Sequence, residues 1–139
     1  MCNCVRCGRR DGIRDIHEGA CEVREGIRDM RDGLEKICKL CVREGACDIR
    51  RGIARCCNGL RCIEEGVRYL GCSVRNEGRR GVTEGVCDIR RGLQCCCDGL
   101  EEICRCCINE GVRDITQGLC MMEEGLRDID ERLDDNCSC

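Results

Sequence analysis

The fold is decided by residues 12–26, which read GIRDIHEGACEVREG. Within this stretch glycine recurs every seven residues, and an apolar residue stands one and four positions after each of the first two glycines. Apolar residues whose spacing alternates between three and four are typical of a heptad helix with apolar positions a and d. With Ile13 at position a and Ile16 at position d, every glycine falls at position g, beside the apolar stripe.

The pattern repeats along the chain with a period of 33 residues. Fifteen of the 18 glycines form four runs, and corresponding glycines of successive runs are 33 residues apart. The spacing within a run is seven residues, but it becomes twelve across the segments 33–45, 66–78 and 99–111. We interpret these segments as the connections between helices of about 25–28 residues. One continuous helix with a phase shift at each segment is the alternative.

The sequence therefore predicts an all-α fold, an antiparallel four-helix bundle of four 33-residue repeats. Short connections favour the antiparallel arrangement, because consecutive helices then pack side by side. Residues 12–135 form this four-repeat helical domain. A Cys-rich lead-in, residues 1–11, precedes it, and a Cys-rich tail, residues 136–139, follows it.

The glycine ladder needs a physical explanation, because glycine inside a helix costs about 0.5–1 kcal/mol relative to alanine. Glycine lacks a Cβ, so two helices that present it can approach at or below the low end of the usual separation of about 8–10 Å. We therefore predict that the ladder allows close helix packing. The glycines assigned to helix packing are Gly19, Gly26, Gly52, Gly59, Gly85, Gly92, Gly118 and Gly125.

The charge balance and the hydropathy exclude several classes of function. Charged residues make up 37% of the 139 residues, yet the net charge is only −3 and the pI is about 5.4. We expect no nucleic acid and no membrane as a partner, because neither a basic surface nor a spanning run of roughly 18 apolar residues is present. The first residues lack the apolar core of a secretory signal, so we expect no signal peptide and synthesis in the cytoplasm.

The residues that catalysis needs are scarce, and we predict that the protein is not an enzyme and has no catalytic residues. His17 is the single histidine of the chain. An activated cysteine needs a neighbouring base or a strongly positive pocket, and this composition favours neither. Arg-Asp dipeptides such as Arg14-Asp15 read as a solvated helix face with surface ion pairs.

Cysteine is the unusual component, with 21 residues, an odd number. Cys56 and Cys96 occupy position d, whereas most other thiols flank the apolar stripe. Antiparallel hairpins would set thiols on neighbouring helices opposite one another, which makes them candidates for disulfides within the chain. These intrachain candidates are Cys38 with Cys47, Cys56 and Cys57 with Cys95, Cys96 and Cys97, and Cys97 with Cys120. The candidates for disulfides between chains are the terminal thiols Cys2, Cys4, Cys7, Cys137 and Cys139.

Two pairs at Cys-x-x-Cys spacing would lie at one end of an antiparallel bundle. They are Cys38 with Cys41 and Cys104 with Cys107. Four thiolates in this arrangement could form a zinc or iron–sulfur site. Thiolate metal binding is therefore the alternative to disulfide cross-linking.

Cysteine-rich ends on a small repetitive bundle favour a structural protein that assembles with copies of itself through disulfides. The cysteine richness and the repeats of the type Gly12-Ile13-Arg14-Asp15-Ile16 resemble cysteine-rich spore coat and exosporium proteins of endospore-forming bacteria. That resemblance implies synthesis in the cytoplasm, deposition on the spore surface and later oxidation, with a homo-oligomer or polymer as the product. No cofactor is expected on this hypothesis.

The chain is also similar to four-helix-bundle copper storage proteins, which line their interiors with thiolates for Cu(I). This similarity implies metal storage, with copper as the cargo and zinc or an iron–sulfur cluster as further possibilities at the Cys-x-x-Cys ends. The chain departs from that pattern, because few of its cysteines lie on the apolar stripe. Cysteines four residues apart along one helix are also missing.

Overall fold

The computed structural model describes the backbone of residues 3–70 and 76–137, and the side chains of residues 11–70 and 80–134. The described residues form four helices and no strand. The helices are α1 (Asn3–Cys38), α2 (Val42–Leu70), α3 (Asn76–Cys104) and α4 (Ile108–Cys137). The all-α helical bundle is therefore confirmed. One continuous helix is excluded, because α1 and α3 each end before the next helix begins.

The helices are longer than the predicted 25–28 residues. α1 has 36 residues and α2 has 29, which corresponds to about 54 Å and about 44 Å at 1.5 Å per residue. Because α1 begins at Asn3, most of the segment 1–11 belongs to the first helix. None of the four helices combines the length and the apolar composition that crossing a membrane requires, as far as their residues are described.

Residues 39–41 connect α1 to α2, and the backbone of α1 ends there in a Schellman motif. The Cys41 amide donates a hydrogen bond to the Lys36 carbonyl at 2.8 Å. The Leu40 amide donates one to the Ile37 carbonyl at 3.0 Å. Leu40 has a φ of 70°, a left-handed conformation that glycine usually supplies at this position. The Cys41 carbonyl then accepts the Gly45 amide at 2.9 Å and starts α2.

Residues 105–107 connect α3 to α4 with the same geometry. The Cys107 amide donates to the Glu102 carbonyl at 2.9 Å, and the Cys106 amide donates to the Ile103 carbonyl at 3.1 Å. Cys106 has a φ of 68°, so it is the counterpart of Leu40. We call residues 39–41 and 105–107 the tips. Since successive helices run in opposite directions, both tips lie at the same end of the bundle.

α1 and α2 form the first hairpin, and α3 and α4 form the second. Within each hairpin the glycines of the two helices meet in pairs. A Cβ built on Gly19 would lie 2.5 Å from the carbonyl oxygen of Gly59, and a Cβ on Gly59 would lie 2.5 Å from that of Gly19. Real Cβ atoms essentially never come so close, so these backbones can meet only at glycine. The predicted close packing is confirmed. The pairs are Gly12–Gly66, Gly19–Gly59, Gly26–Gly52, Gly33–Gly45, Gly85–Gly125, Gly92–Gly118 and Gly99–Gly111.

The glycines lie within the contact line of each hairpin, which corrects the expectation that they stand beside it. Side chains at position d are fully buried and pack on the glycines of the partner helix; the Cγ1 of Ile63, for example, is 2.7 Å from a Cβ built on Gly19. Positions g and d therefore face the hairpin partner, and we call this contact line the glycine seam. The fully buried d residues are Ile16, Val23, Met30, Ile49, Cys56, Ile63, Ile89, Cys96, Ile115, Met122 and Ile129.

The two hairpins meet along a different line, formed by positions a and e, which we call the hairpin interface. Its a residues include Ile27, which is buried, and Ile53 and Leu100, which are only partly buried. Oppositely charged residues at position e pair across this interface. Arg24 with Asp130 and Arg31 with Glu123 join α1 to α4, and Arg90 with Glu64 joins α3 to α2. Each helix thus has one neighbour at the glycine seam and another at the hairpin interface.

Candidate functional site

The described thiols lie mainly on the outside of the bundle. Fifteen of the 21 cysteines have described side chains, and all fifteen are free thiols. Cys56 and Cys96 are buried, Cys95 is half-buried and the other twelve are exposed. This distribution follows from the heptad positions, because only position d points a thiol into the glycine seam. The exposed thiols are Cys21, Cys38, Cys41, Cys47, Cys57, Cys62, Cys87, Cys97, Cys104, Cys106, Cys107 and Cys120.

The two buried thiols serve as core side chains. The Cys56 thiol contacts the Val23 carbonyl at 3.4 Å as a hydrogen-bond donor, and the Cys96 thiol contacts the Ile115 carbonyl at 3.8 Å. Burial raises the pKa of Cys96 to about 12, and burial followed by the nearby Cys96 thiol raises the pKa of Cys56 strongly. Since the thiolate is the reactive form, these two cysteines are chemically inert in the folded protein.

Five exposed thiols are concentrated at the tip end of the bundle. They belong to the last residues of α1 and α3 and to the tips themselves. Cys106 was missed as a candidate at the sequence level. The 33-residue repeat aligns Cys106 with Leu40, so the two positions are equivalent. Periodicity does not predict that both residues have a left-handed backbone and are exposed. The tip-end thiols are Cys38, Cys41, Cys104, Cys106 and Cys107.

Among the candidates for intrachain disulfides, the structure brings Cys57 and Cys97 near each other. The pKa of Cys97 is raised first by partial burial and second by the neighbouring Cys57 thiol. Cys95 is half-buried beside them on α3. The pairs Cys38 with Cys47 and Cys97 with Cys120 involve exposed thiols on adjacent helices, and their disulfides stay predictions.

The metal-binding alternative has no preformed centre in the described part of the chain. Within residues 11–70 and 80–134, no three or more His, Cys, Asp or Glu side chains form a group that could hold a metal ion. Cys38, Cys41, Cys104 and Cys107 share the tip end without converging on one point. Stable thiolate sites for zinc bring four ligands to about 2.3 Å from the metal. The observed arrangement therefore fits separate thiols better than a cluster.

The terminal candidates for interchain disulfides lie outside the described side chains. Cys2 and Cys139 fall outside the described residues altogether. For Cys4, Cys7 and Cys137 only the helical backbone is described. The chain direction alone places the helix ends that carry these three cysteines opposite the tips.

The two hairpins differ in charge beside their glycine seams. In the first hairpin Lys36 binds the buried Asp48 at 2.5 Å. This contact raises the pKa of Lys36 and lowers that of Asp48. At the corresponding positions of the second hairpin, Glu102 faces Asp114. A hydrogen bond between two carboxyl groups requires a proton on one of them, so Asp114 raises the pKa of Glu102, with desolvation and Glu110 adding to the effect.

Two open grooves lie at the hairpin interface. One, of about 360 Å³, runs between α1 and α4 and is lined by residues that include Ile27 and Leu126. The other, of about 230 Å³, runs between α2 and α3 and is lined by residues that include Val67 and Val86. Ile53, Val67 and Leu100 at position a are only partly buried, so the hairpin interface is less completely packed than the glycine seam, although Ile27, Val86 and Leu126 beside the grooves are buried.

Comparisons with protein-family models, with curated proteins and with solved structures find no match to this chain. Its function is therefore inferred from the placement of its thiols and from the packing of its helices.

Proposed function

We propose that this chain is a self-assembling structural protein whose copies are joined by disulfides. The observation that carries the proposal is the placement of thiols on a stiff rod of paired helices. Five exposed thiols stand at the tip end, whereas the two thiols inside the bundle are buried and protonated. Exposed thiols can meet thiols of another chain, and buried ones cannot.

The glycine seam makes each hairpin suitable as a rigid building block. Backbone contacts at the seven glycine pairs leave little room for one helix to slide or rotate against the other. Bonds at the tips would then transmit a fixed geometry from one copy to the next. A protein with a soft core would cross-link into a disordered gel instead of an ordered layer or fibre.

The assembly chemistry needs only a common oxidant. Each bond forms when two thiols lose two protons and two electrons to a small-molecule disulfide such as oxidised glutathione, which leaves as two molecules of glutathione. The protein would be made with reduced thiols in the cytoplasm and oxidised after deposition. The spore surface is the setting that the resemblance to coat and exosporium proteins suggests.

The proposal is tested by comparing two variants that lose equal numbers of exposed thiols. In the tip variant, serine replaces the five tip-end cysteines. In the matched shaft variant, serine replaces five exposed cysteines on the helix faces, Cys21, Cys47, Cys62, Cys87 and Cys120. Both variants and the wild type are oxidised with glutathione disulfide, separated on gels with and without reductant, and inspected by electron microscopy.

We expect the wild type and the shaft variant to form ladders of covalent oligomers that collapse on reduction. The tip variant should form much shorter ladders than the shaft variant, because it lacks the thiols to which the proposal assigns the bonds between chains. Ladders of equal length from the tip variant would contradict the assignment of the bonds to the tips. Stoichiometric copper, zinc or iron in the purified protein, with no covalent ladder, would favour the metal-binding alternative.

A further inference from the structure

The hairpin interface is the weaker of the two contact lines of the bundle. Some of its a residues, such as Ile53 and Val67, are only partly buried, and no backbone approach like that of the glycine pairs is seen across it in the described residues. Polar pairs at position e flank it on both sides. A covalent link across this interface would therefore hold together the part of the fold that opens most easily.

The register of this interface sets Cys57 opposite Cys97. α2 and α3 are antiparallel, and Glu64 on α2 pairs with Arg90 on α3. Cys57 is seven residues before Glu64, and Cys97 is seven residues after Arg90, so each thiol is two turns from the ion pair in the matching direction. Both thiols are at position e, like the ion pair.

The e positions on the opposite side of the hairpin interface support the same interpretation. The described e residues that pair between α1 and α4 are oppositely charged, Arg24 with Asp130 and Arg31 with Glu123. On the α2–α3 side the thiol pair takes the place that an ion pair occupies elsewhere. The Cys57 thiol is the second cause of the raised pKa of Cys97, after burial, which agrees with this proximity.

We propose that Cys57 and Cys97 form an intramolecular disulfide that fastens the two hairpins together, and we call this bond the clasp. Oxidised glutathione supplies the oxidising equivalents: one cysteine forms a mixed disulfide and releases one glutathione, and the other cysteine then displaces the second glutathione. The two protein thiols lose two protons and two electrons, and the sulfur–sulfur bond forms between them.

The clasp gives the bundle a reduced and an oxidised state, which differ in how the two hairpins are held together. In the reduced state the hairpins are held by the a residues and by solvent-exposed ion pairs, which contribute little individually. In the oxidised state the hairpins cannot separate or exchange with those of another copy. The clasp does not depend on interchain bonds, so it can be present in a monomer that never polymerises.

The test uses the full-length protein, reduced and then equilibrated at low concentration in glutathione buffers at about pH 8, where thiolates are available. Free thiols are blocked with N-ethylmaleimide, and the monomer is isolated on a non-reducing gel. Trypsin releases residues 56–61 and residues 92–105 as separate peptides, because arginine precedes and ends each of them. We expect a disulfide-linked pair of these two peptides from the monomer band.

Single variants assign the bond, because each peptide contains more than one cysteine. Cys57→Ser and Cys97→Ser should each abolish the linked pair. The matched controls Cys62→Ser and Cys87→Ser, at exposed sites on the same two helices, should retain it. The wild-type monomer and the controls should melt at a higher temperature when oxidised than when reduced, and the Cys57→Ser monomer should lose this difference.

Two outcomes would overturn the clasp. One is a linked pair that persists in both Cys57→Ser and Cys97→Ser. The other is its absence from the oxidised wild-type monomer, including the case in which it occurs only in covalent dimers. A linked pair found only in covalent dimers would leave the proposed cross-linking function intact. A monomer that contains the clasp but forms no covalent ladder would support the clasp and contradict the proposed self-assembly.

Discussion

The sharpest prediction concerns alanine in the glycine seam. In Gly19→Ala the new Cβ would lie 2.5 Å from the carbonyl oxygen of Gly59 and 2.9 Å from the backbone nitrogen of Ile63. Ordinary contact begins at 3.4 Å. The backbones of α1 and α2 must therefore part locally by about 1 Å, and this displacement also pulls the neighbouring d side chains out of contact.

Two opposing effects set the magnitude. Alanine favours the helix over glycine by about 0.5–1 kcal/mol. Overpacking of a well-packed contact typically costs about 1–3 kcal/mol, and a cost near the upper end applies here because backbone atoms cannot move aside as a side chain can. We expect Gly19→Ala to lower the free energy of unfolding by about 2 kcal/mol, or the Tm by about 7 °C for a chain of 139 residues.

Gly81→Ala provides the matched control. Gly81 lies inside α3, but the three atoms nearest to a Cβ there are the Nε, Cγ and Cδ atoms of the long Arg132 side chain, not backbone atoms. Because that side chain is flexible, we expect Gly81→Ala to be neutral or to raise the Tm slightly through helix propensity. Both variants are compared with the wild type by thermal and urea unfolding under reducing conditions. A Gly19→Ala protein as stable as Gly81→Ala would refute the close approach of the helices.

Three further predictions concern the tips and the thiols. Leu40 is 88% exposed and has a positive φ, so Leu40→Gly should raise the free energy of unfolding by about 1 kcal/mol in urea titrations. In a short N-ethylmaleimide pulse on the reduced native protein, Cys56 and Cys96 should stay unmodified while exposed thiols react, as peptide mass spectrometry would reveal; fast labelling of either would contradict their burial. Glu102 binds its proton more tightly in the folded state, so its stabilising contribution is present at low pH and lost as the pH rises through its raised pKa. Glu102→Lys, which creates a salt bridge to Asp114, should raise the Tm at neutral pH and remove this loss, and an unchanged pH profile of the Tm would contradict the assignment.

The heptad periodicity was sufficient to predict the number of helices, the tips and the placement of thiols inside or outside the bundle. It was insufficient for the role of glycine. A stripe of apolar residues reveals positions a and d, but glycine contributes no apolar side chain to such a pattern. The place of glycine in the contact line becomes clear only once the two neighbours of each helix are known. The hairpin partner is close and packs on positions g and d, whereas the neighbour in the other hairpin packs on positions a and e. The structure shows this directly, because Gly19 meets the backbone of Gly59.

The sequence also did not predict which tip residues have a left-handed backbone. Leu40 and Cys106 occupy a position where glycine is the usual signal, and neither residue type suggests a positive φ. The proximity of Cys57 and Cys97 was among several pairings that the sequence left open. Periodicity places thiols around each helix, whereas the register between α2 and α3 depends on the geometry of their connection and on pairs such as Glu64 with Arg90.

The two hairpins have the same glycine seam but different charged residues beside it. This difference affects the stability of each hairpin. Lys36 with Asp48 attracts across the first glycine seam, whereas Glu102 with Asp114 repels across the second once both carboxyl groups are ionised. At neutral pH the charges beside the seam therefore stabilise the first hairpin and destabilise the second, although the glycine pairs of both are equally close. A clasp would tie the second hairpin to the first. Oxidation would then stabilise the half of the molecule that its own charges destabilise.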